Sequence, residues 1–278
     1  MESYDVSIII TTRNEEENIA DCLKSIKEQT HPQNMIEVIM VDNNSTDNTV
    51  EIARRFTDKV YNYGPERSAQ RNFGIKQAAG EYVIYLDTDM ALSPAVIAEC
   101  VAKCEGKDCV ALYIPERIKG RGFWIRVRDF ERSFYDATVI DCVRFIRKDK
   151  FLEIGGFDES LTGPEDWDFD RRIRQVGNTG IINSPIYHNE GEFNLRKYLN
   201  KKSYYAKDFQ RYIDKWGKDD PVIKKQFGLG YRYFGVFVEY GKWKKALIHP
   251  VLLSGVFVLR FFVGIGYLLK RASKSKGL

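Results

Sequence analysis

The residues best equipped for chemistry in this chain are Asp87 and Asp89, two apart in the stretch GEYVIYLDTDM that runs from Gly80 to Met90. The apolar run Tyr82–Leu86 ahead of them has the length and the Val, Ile and Tyr content of a buried strand in a parallel sheet. Open α/β sheets bind ligands outside the carboxyl ends of such strands, where this Asp-Thr-Asp falls. Two carboxylates so placed can share one hard divalent cation, which takes oxygen ligands and accepts bridging phosphates. The competing reading is an acidic turn that caps the helix after Ser93-Pro94. The spacing alone does not decide, so the flanking sequence must.

The elements that position these carboxylates alternate in type. Val6–Thr12 is apolar and is followed by Glu15-Glu16-Glu17 and a helical pattern, Ile19, Leu23, Ile26, that ends before Pro32. Ile36–Val41 reads as a second strand, closed by Asp42–Asp47, where Ser45 or Thr46 could cap a helix containing Val50, Ile52 and Ala53. A short strand near Val60 leads through Gly64-Pro65 to a helix from about Arg67 to Ala79, and the Asp-Thr-Asp strand follows. This alternation predicts right-handed βαβ units around a parallel sheet.

Beyond it, a helix from Pro94 to about Lys103 and a strand over Cys109–Ile114 continue the pattern. The rhythm then changes. Lys119–Phe134 mixes basic and aromatic residues without clean alternation, Val139–Ile146 reads as a strand, and Gly163–Asp168 opens a helix with Ile173 and Val176 on its apolar side. A short strand, then Asn183-Ser184-Pro185, precede Tyr187-His188, and residues 194–240 are helical in pattern. The expected fold class is α/β, with a mainly parallel central sheet flanked by helices. Its expected divisions are a first half, 1–115, a second abutting half, 116–220, and a helical C-terminal extension, 221–278.

With 278 residues, 44% hydrophobic and 29% charged, the chain can bury a large core, which argues against disorder. The net charge of +4 and the absence of a nucleic-acid-binding motif give no reason to expect nucleic acid as a partner. Five cysteines without paired spacing suggest neither a disulfide framework nor a zinc site, and favour a reducing compartment. No basic-then-apolar leader precedes the first strand, so the expected location is cytoplasmic.

The segment Ala246–Arg271 is strongly apolar but contains His249, Ser254 and Arg260. A central charge penalises a spanning helix by about 2.5–3.5 kcal/mol. At about 100° per residue, His249, Arg260, Gly264 and Arg271 share a narrow stripe and leave a broad apolar face. That pattern suits a helix lying in a membrane interface, at the cytoplasmic face; a buried terminal helix or oligomer contact is the competing reading.

Four stretches, VSIIITTRNEEENI, VIMVDNNSTDNT, SAQRNFGIKQAAGEYVIYLDTDM and GGFDESLTGPEDWDFDRRI, follow one another within residues 4–190. In that order and spacing they resemble the family 2 glycosyltransferases of the GT-A fold. The resemblance implies a nucleoside diphosphate sugar lying over the first half of the sheet. Asp42 would then read the base, since a carboxylate can accept the ring N–H of uracil or the N–H pair of guanine. Thr11 would stand beside it and Arg13 belong to the same nucleotide-binding set. As an alternative, Asp42 serves only an Asx-type turn.

Arg67 and Arg71 lie one turn apart, and either could meet the base or the phosphates, which a guanidinium matches bidentately. By the same resemblance Asp89 ligates Mn²⁺ or Mg²⁺ on the diphosphate, Asp87 contacts ribose or the metal's waters, and Thr88 lines the site. Asp166, in Glu165-Asp166, would be the base that takes the acceptor hydroxyl's proton, as inversion at the anomeric carbon requires. Glu165 and Asp168 could instead serve the helix N-terminus. His188 would ligate the metal or touch the diphosphate, unless its role is structural. Asn194–Tyr212, rich in Lys and Arg, would be a lid or basic wall, or else a solvated helix face.

The chain has no QxxRW signature, which points to one sugar per encounter rather than a processive synthase. The expected reaction is inverting, metal-dependent transfer from a nucleoside diphosphate sugar, by default a UDP sugar, to an acceptor hydroxyl on a membrane-linked glycan or lipid. Two other classes compete. A sugar-1-phosphate nucleotidyltransferase would need a Gly-rich loop after the first strand, where this chain reads Thr-Thr-Arg-Asn-Glu. An inactive nucleotide-sugar-binding or membrane-scaffolding module would have no need of Asp42, Asp87, Asp89 and Asp166 together.

Overall fold

The computed structural model describes residues 4–105 and 108–275, with side chains through Gly266. Its first part is β1 (Val6–Thr12), α1 (Ile19–Lys27), β2 (Ile36–Asp42), α2 (Thr49–Ala53), β3 (Val60–Asn62), α3 (Arg67–Gln77), β4 (Tyr82–Asp87), β5 (Met90–Leu92), α4 (Val96–Cys104) and β6 (Cys109–Tyr113). There follow β7 (Glu116–Arg121), α5 (Phe123–Arg132), β8 (Phe145–Arg147), α6 (Lys148–Glu153), α7 (Glu165–Ile173), β9 (Asn178–Ile181) and β10 (Ile186–Glu192). The remainder is helical: α8 (Leu195–Tyr205), α9 (Phe209–Trp216), α10 (Pro221–Phe227), α11 (Val236–Val238), α12 (Trp243–Ile248) and α13 (Pro250–Ser275).

The central sheet runs β3-β2-β1-β4-β8-β6-β9. Its first four strands are parallel, and β8 enters antiparallel between β4 and β6. Every residue of β1 is buried, as a strand covered by helices on both faces requires. Its side chains alternate: Ile8 and Ile10 pack with α1 and α4, while Ile9 points to the opposite layer with Ile75 of α3 and Phe169 of α7. Because β8 and β9 complete the sheet that β1–β4 begin, one sheet crosses residue 115.

A second sheet, β5-β10-β7, stands beside the carboxyl edge. Its register sets His188 opposite Met90 and beside Ile118, one residue from Asp89.

Lys119–Phe134, to which the sequence pattern assigns no element, contains the end of β7 and all of α5. One expectation needs correcting. The expected strand Val139–Ile146 contracts to Phe145–Arg147, because the chain before it makes turns tied by Arg132 to Asp141 at 2.8 Å and Ala137 N–H to Asp141 at 2.8 Å.

The terminal segment is helical, but His249 leaves the helix at φ −122° and ψ 61°, since the residue before a proline is pushed out of helical geometry. His249 therefore belongs to the break rather than to a helical stripe, and the side chain of Arg271 lies outside the described residues. Arg260 faces inward, donating to Glu131 Oε1 at 2.9 Å and to the Tyr135 hydroxyl at 3.0 Å. Val256 and Leu259 pack against Val127 and Phe130 of α5. Approach is close here: a Cβ on Gly255 would lie 2.6 Å from Val127.

Burial works against the Glu131 carboxylate, but Arg260 and Arg128 outweigh it and lower its pKa to about 2. The unfolded value is about 4.3, so this contribution to stability is complete above that pH and is lost as pH falls toward the folded value. Arg260→Leu should cost about 2–3 kcal/mol, seen as a lower Tm at pH 7. It should also flatten the loss of stability between about pH 4.5 and 2. An unchanged Tm would show that the pair does not hold α13 down.

Candidate active site

The carboxyl ends of β2, β1 and β4 form one row, with Asp42 in register with Thr12 and Asp87 in register with Thr11. Neighbouring strands lie about 4.8 Å apart, so this row carries acidic groups on either side of the first strand. Asp42 is buried, and both its oxygens are engaged by Ser45, from the backbone N–H at 2.8 Å and from the hydroxyl at 2.5 Å. The Asx-type turn is therefore real. Arg13 is exposed just beyond β1. The Thr11 hydroxyl lies 3.4 Å from Asp87 Oδ1, and that of Thr88 donates to the Thr11 carbonyl at 3.0 Å.

Both candidate arginines converge on Asp87. Arg71 donates to Asp87 Oδ1 at 3.0 Å and to Asp166 Oδ1 at 2.9 Å. Arg67 lies 3.5 Å from Asp87 Oδ2 and donates to Glu165 Oε1 at 3.0 Å. Burial would raise the pKa of Asp87, but Arg71 and Arg67 hold it far below the usual carboxylate range. Arg71 is 1% exposed and lies over the rings of Tyr85 and Phe157, 4.4 and 5.2 Å from their centroids. It is thus walled off from solvent, whereas Arg67 remains about one-third exposed beside Tyr205.

Asp89 has other partners. His188 bridges it to Glu116, with Nε2 3.0 Å from Asp89 Oδ2 and Nδ1 3.0 Å from Glu116 Oε1. Burial disfavours the imidazolium, but the two carboxylates overcome this and raise its pKa to about 10. At neutral pH both ring nitrogens donate. Glu116 is fixed in turn by Arg132 and Arg144, each 3.1 Å from Oε2.

Asp166 opens α7 and keeps 30% of its side chain exposed, while Glu165 beside it is buried. Glu165 takes Arg67 and the Gly163 N–H, so it serves the turn into the helix. Gly163 must be glycine: its φ is +105°, and a Cβ would meet the Tyr205 carbonyl oxygen at 2.0 Å. Asp168 is fully buried among Arg172, Lys215 and Trp216, which makes it structural. Helix α8 lies against the site through Tyr205 and Lys201. Burial opposes the Lys201 charge, but Tyr205, Asp89, Glu190 and Asp87 raise its pKa.

The match to Glycosyl transferase family 2 spans residues 7–158, which includes Asp42, Arg67, Arg71, Asp87 and Asp89. This chain belongs to that family. Among relatives, Glycosyltransferase AglE of Haloferax volcanii is 43% identical over 188 residues, covering 62% of this chain and 62% of AglE. The poly(ribitol-phosphate) beta-glucosyltransferase of Bacillus spizizenii is 34% identical over 147 residues, 49% of this chain and 23% of that protein. The matched region is thus less than two thirds of either relative's length.

Among solved structures, the mannosyltransferase PcManGT of Pyrobaculum calidifontis, in complex with GDP-Man and Mn²⁺, superposes with a TM-score of 0.61 at 20% identity, covering 97% of this chain and 79% of its own. S. aureus TarS 1–349 in complex with UDP-GlcNAc gives 0.57 at 20% identity, covering 90% and 78%. These likenesses establish the expected GT-A fold.

Within this family-2 site, three neighbours of the acidic groups were not singled out from sequence. Glu116 follows the apolar run Cys109–Ile114, the same strand-end position that marks Asp42 and Asp87, and that rule would have found it. Glu15 has its pKa raised by burial and by Asp89 and Asp87, although Asn18 counters them; sequence reading had assigned it only to an acidic helix turn. Arg144, one of whose terminal nitrogens is buried without a hydrogen-bond partner among the described residues, had no signal.

The fit of a divalent cation turns on Asp89. Its Oδ1 is buried and has no hydrogen-bond partner among the described residues. No group of three His, Cys, Asp or Glu is arranged for a metal among the described residues. Asp87 is occupied by arginines. Asp89 and His188 therefore fit a hard cation that draws its other ligands from phosphate and water, provided that His188 gives up its Nε2 proton.

Arg71→Leu should strip Asp166 of this partner and leave Asp87 with Arg67 alone, at about 3–5 kcal/mol. Combining it with Asp87→Leu should recover part of that loss, giving a coupling energy above about 1 kcal/mol in a thermal double-mutant cycle. Strict additivity would mean that the pair is not coupled.

Proposed function

We propose that the chain is a metal-dependent, inverting glycosyltransferase that moves a sugar from a nucleoside diphosphate sugar to an acceptor hydroxyl. The observation that carries this reading is the split of the acidic groups into two sets. Asp87 and Asp166 share Arg71, while Asp89 pairs with His188 and keeps a buried oxygen open. One set orients a base; the other suits a cation and its diphosphate.

Asp166 would take the proton from the acceptor oxygen as that oxygen attacks the anomeric carbon. Arg71 grips Oδ1 and so orients the carboxylate, which stays partly exposed toward an incoming hydroxyl. Arg67 and Lys201 bring positive charge to the rim where a diphosphate would lie, and Asp42, Thr11, Arg13 and Thr88 form the nucleoside side. Mn²⁺ or Mg²⁺, held by Asp89 and His188 when bound, would neutralise charge developing on the departing diphosphate.

The ligands of the two solved neighbours divide between uracil and guanine nucleotides, UDP-GlcNAc with TarS and GDP-Man with PcManGT. Uracil is the base we propose by default, and a thermal-shift panel of UDP and GDP sugars with Mn²⁺ separates the two. Asp166→Asn should lower kcat by about 10²–10⁴-fold with little change in donor KM. Full retention of transfer would remove Asp166 as the base.

We further propose that the acceptor is membrane-linked, at a cytoplasmic membrane face. No helix among the described residues is long and apolar enough to cross a membrane. What supports a surface is α13, where Val251, Val258, Phe261, Phe262 and Ile265 are all exposed and fall within an arc of about 100°. Arg260 lies on the opposite side, against the protein. Val251→Ser, Val258→Ser and Phe261→Ser combined should reduce flotation with phosphatidylcholine vesicles by at least about tenfold while leaving Tm nearly unchanged. Equal flotation would rule out this face as the anchor.

A further inference from the structure

A cavity of about 440 Å³ opens between β7, α5 and the break between α12 and α13, away from the acidic row. It is strongly basic: Arg117, Lys119, Arg126, Lys245 and His249 line it against one carboxylate, Asp129. Asp129 accepts from the Ile118 N–H at 2.9 Å through Oδ1. Arg117 is neutralised by Asp136, which it meets through both terminal nitrogens at 3.1 and 2.7 Å.

The other cations are not neutralised. Lys119 lies over the Tyr187 ring at 3.4 Å, Lys245 donates to the Ser133 hydroxyl, and Arg126 has no ion-pair partner among the described residues. Burial and the charge of nearby Arg117 lower the Lys245 pKa, against the opposing pull of Asp136 and Asp129.

A second cavity of about 400 Å³ shares Arg126, His249 and Leu252 with the first and continues over Phe123, Ile248, Pro250 and Val251. Its apolar wall leads directly to the exposed arc of α13, which begins at Val251. A ligand filling both must be anionic at one end and hydrocarbon at the other. We propose that this paired cavity binds the phosphate group of an anionic lipid, with the phosphate among Lys119, Arg126 and Lys245 and the first carbons of its chains against Ile248–Leu252. Inorganic phosphate would satisfy only the basic half.

The proposal extends the membrane reading, but its test does not need a membrane. Titration of the whole chain with dihexanoyl phosphatidic acid, kept below its micelle concentration and followed by calorimetry, should show one saturable site. Lys119→Gln with Arg126→Gln should weaken it about thirtyfold, roughly fivefold for each cation removed. A control with equal charge loss outside the cavity, Lys224→Gln with Lys244→Gln, should keep the wild-type affinity.

Three results would overturn the proposal: no saturable binding by the wild type, an equal loss in the control, or inorganic phosphate binding as tightly as the lipid. Loss of vesicle flotation in a Val258→Ser, Phe261→Ser variant, which leaves Val251 and the rest of the cavity wall untouched, with short-chain binding intact, bears on the anchor and leaves the cavity standing.

Discussion

A guanidinium enclosed by aromatic rings must keep its carboxylates close, because an unpaired charge in such a place would be severely penalised. Arg71 is in that position, with Tyr85 and Phe157 over its faces and Asp87 and Asp166 at its terminal nitrogens. Asp87 ends a central strand and Asp166 begins a helix some eighty residues later in the chain. Their distance is therefore set by the width of one guanidinium rather than by loop conformation. Asn72, the next residue on α3, braces the same connection by exchanging hydrogen bonds with the Phe157 backbone at 2.8 and 2.9 Å.

The second sheet repeats this solution, one cation between two carboxylates. There the cation is His188, and its carboxylates are Asp89 and Glu116. Glu116 is over-determined by Arg132 and Arg144, so the ring has one orientation, and Asp89 is held through one oxygen only. Two neighbouring carboxylates two residues apart thus reach opposite ends: Asp87 is saturated by arginines, while Asp89 keeps a buried acceptor oxygen. The turn at Thr88-Asp89 between β4 and β5 is what sends them apart, since unbroken strand alternation would put residues two apart on one face.

This division also marks the limit of what sequence could reveal. The strands β1, β2 and β4 were legible because a strand buried on both faces is a continuous apolar run, and the Asp-Thr-Asp was legible because it terminates one. Helix α5 was not, because Glu131 is buried, and Arg128 and Arg132 are drawn partly inside, by ion pairs among themselves and with Glu190, Glu116 and Arg260. Buried ion pairs erase the contrast between apolar and polar positions on which periodicity depends. Val139–Ile146 failed in the opposite sense: Ile140 and Val143 are buried by turns, so an apolar composition there implied burial but not a strand. The choice between Arg67 and Arg71 was similarly beyond sequence, since both occupy one helix face and only the rings around Arg71 separate them.

The same ion pairs determine what α13 can do. An interfacial helix ordinarily turns its charged face to water, but Arg260 is used inside, against Glu131. Glu131 continues to Arg128 at 3.1 Å, and Arg128 to Glu190 at 2.8 Å, two residues beyond His188 on β10. The protein body thus serves as the polar face of this helix, and its apolar arc is held in fixed register with the strand that carries His188. A helix tethered only by a flexible linker would bring the chain to a surface but leave the height of the site above it undefined. Four charges joined by three ion pairs, from Arg260 to Glu190 on β10, fix that height, the property that the surface-held acceptor proposed above would require.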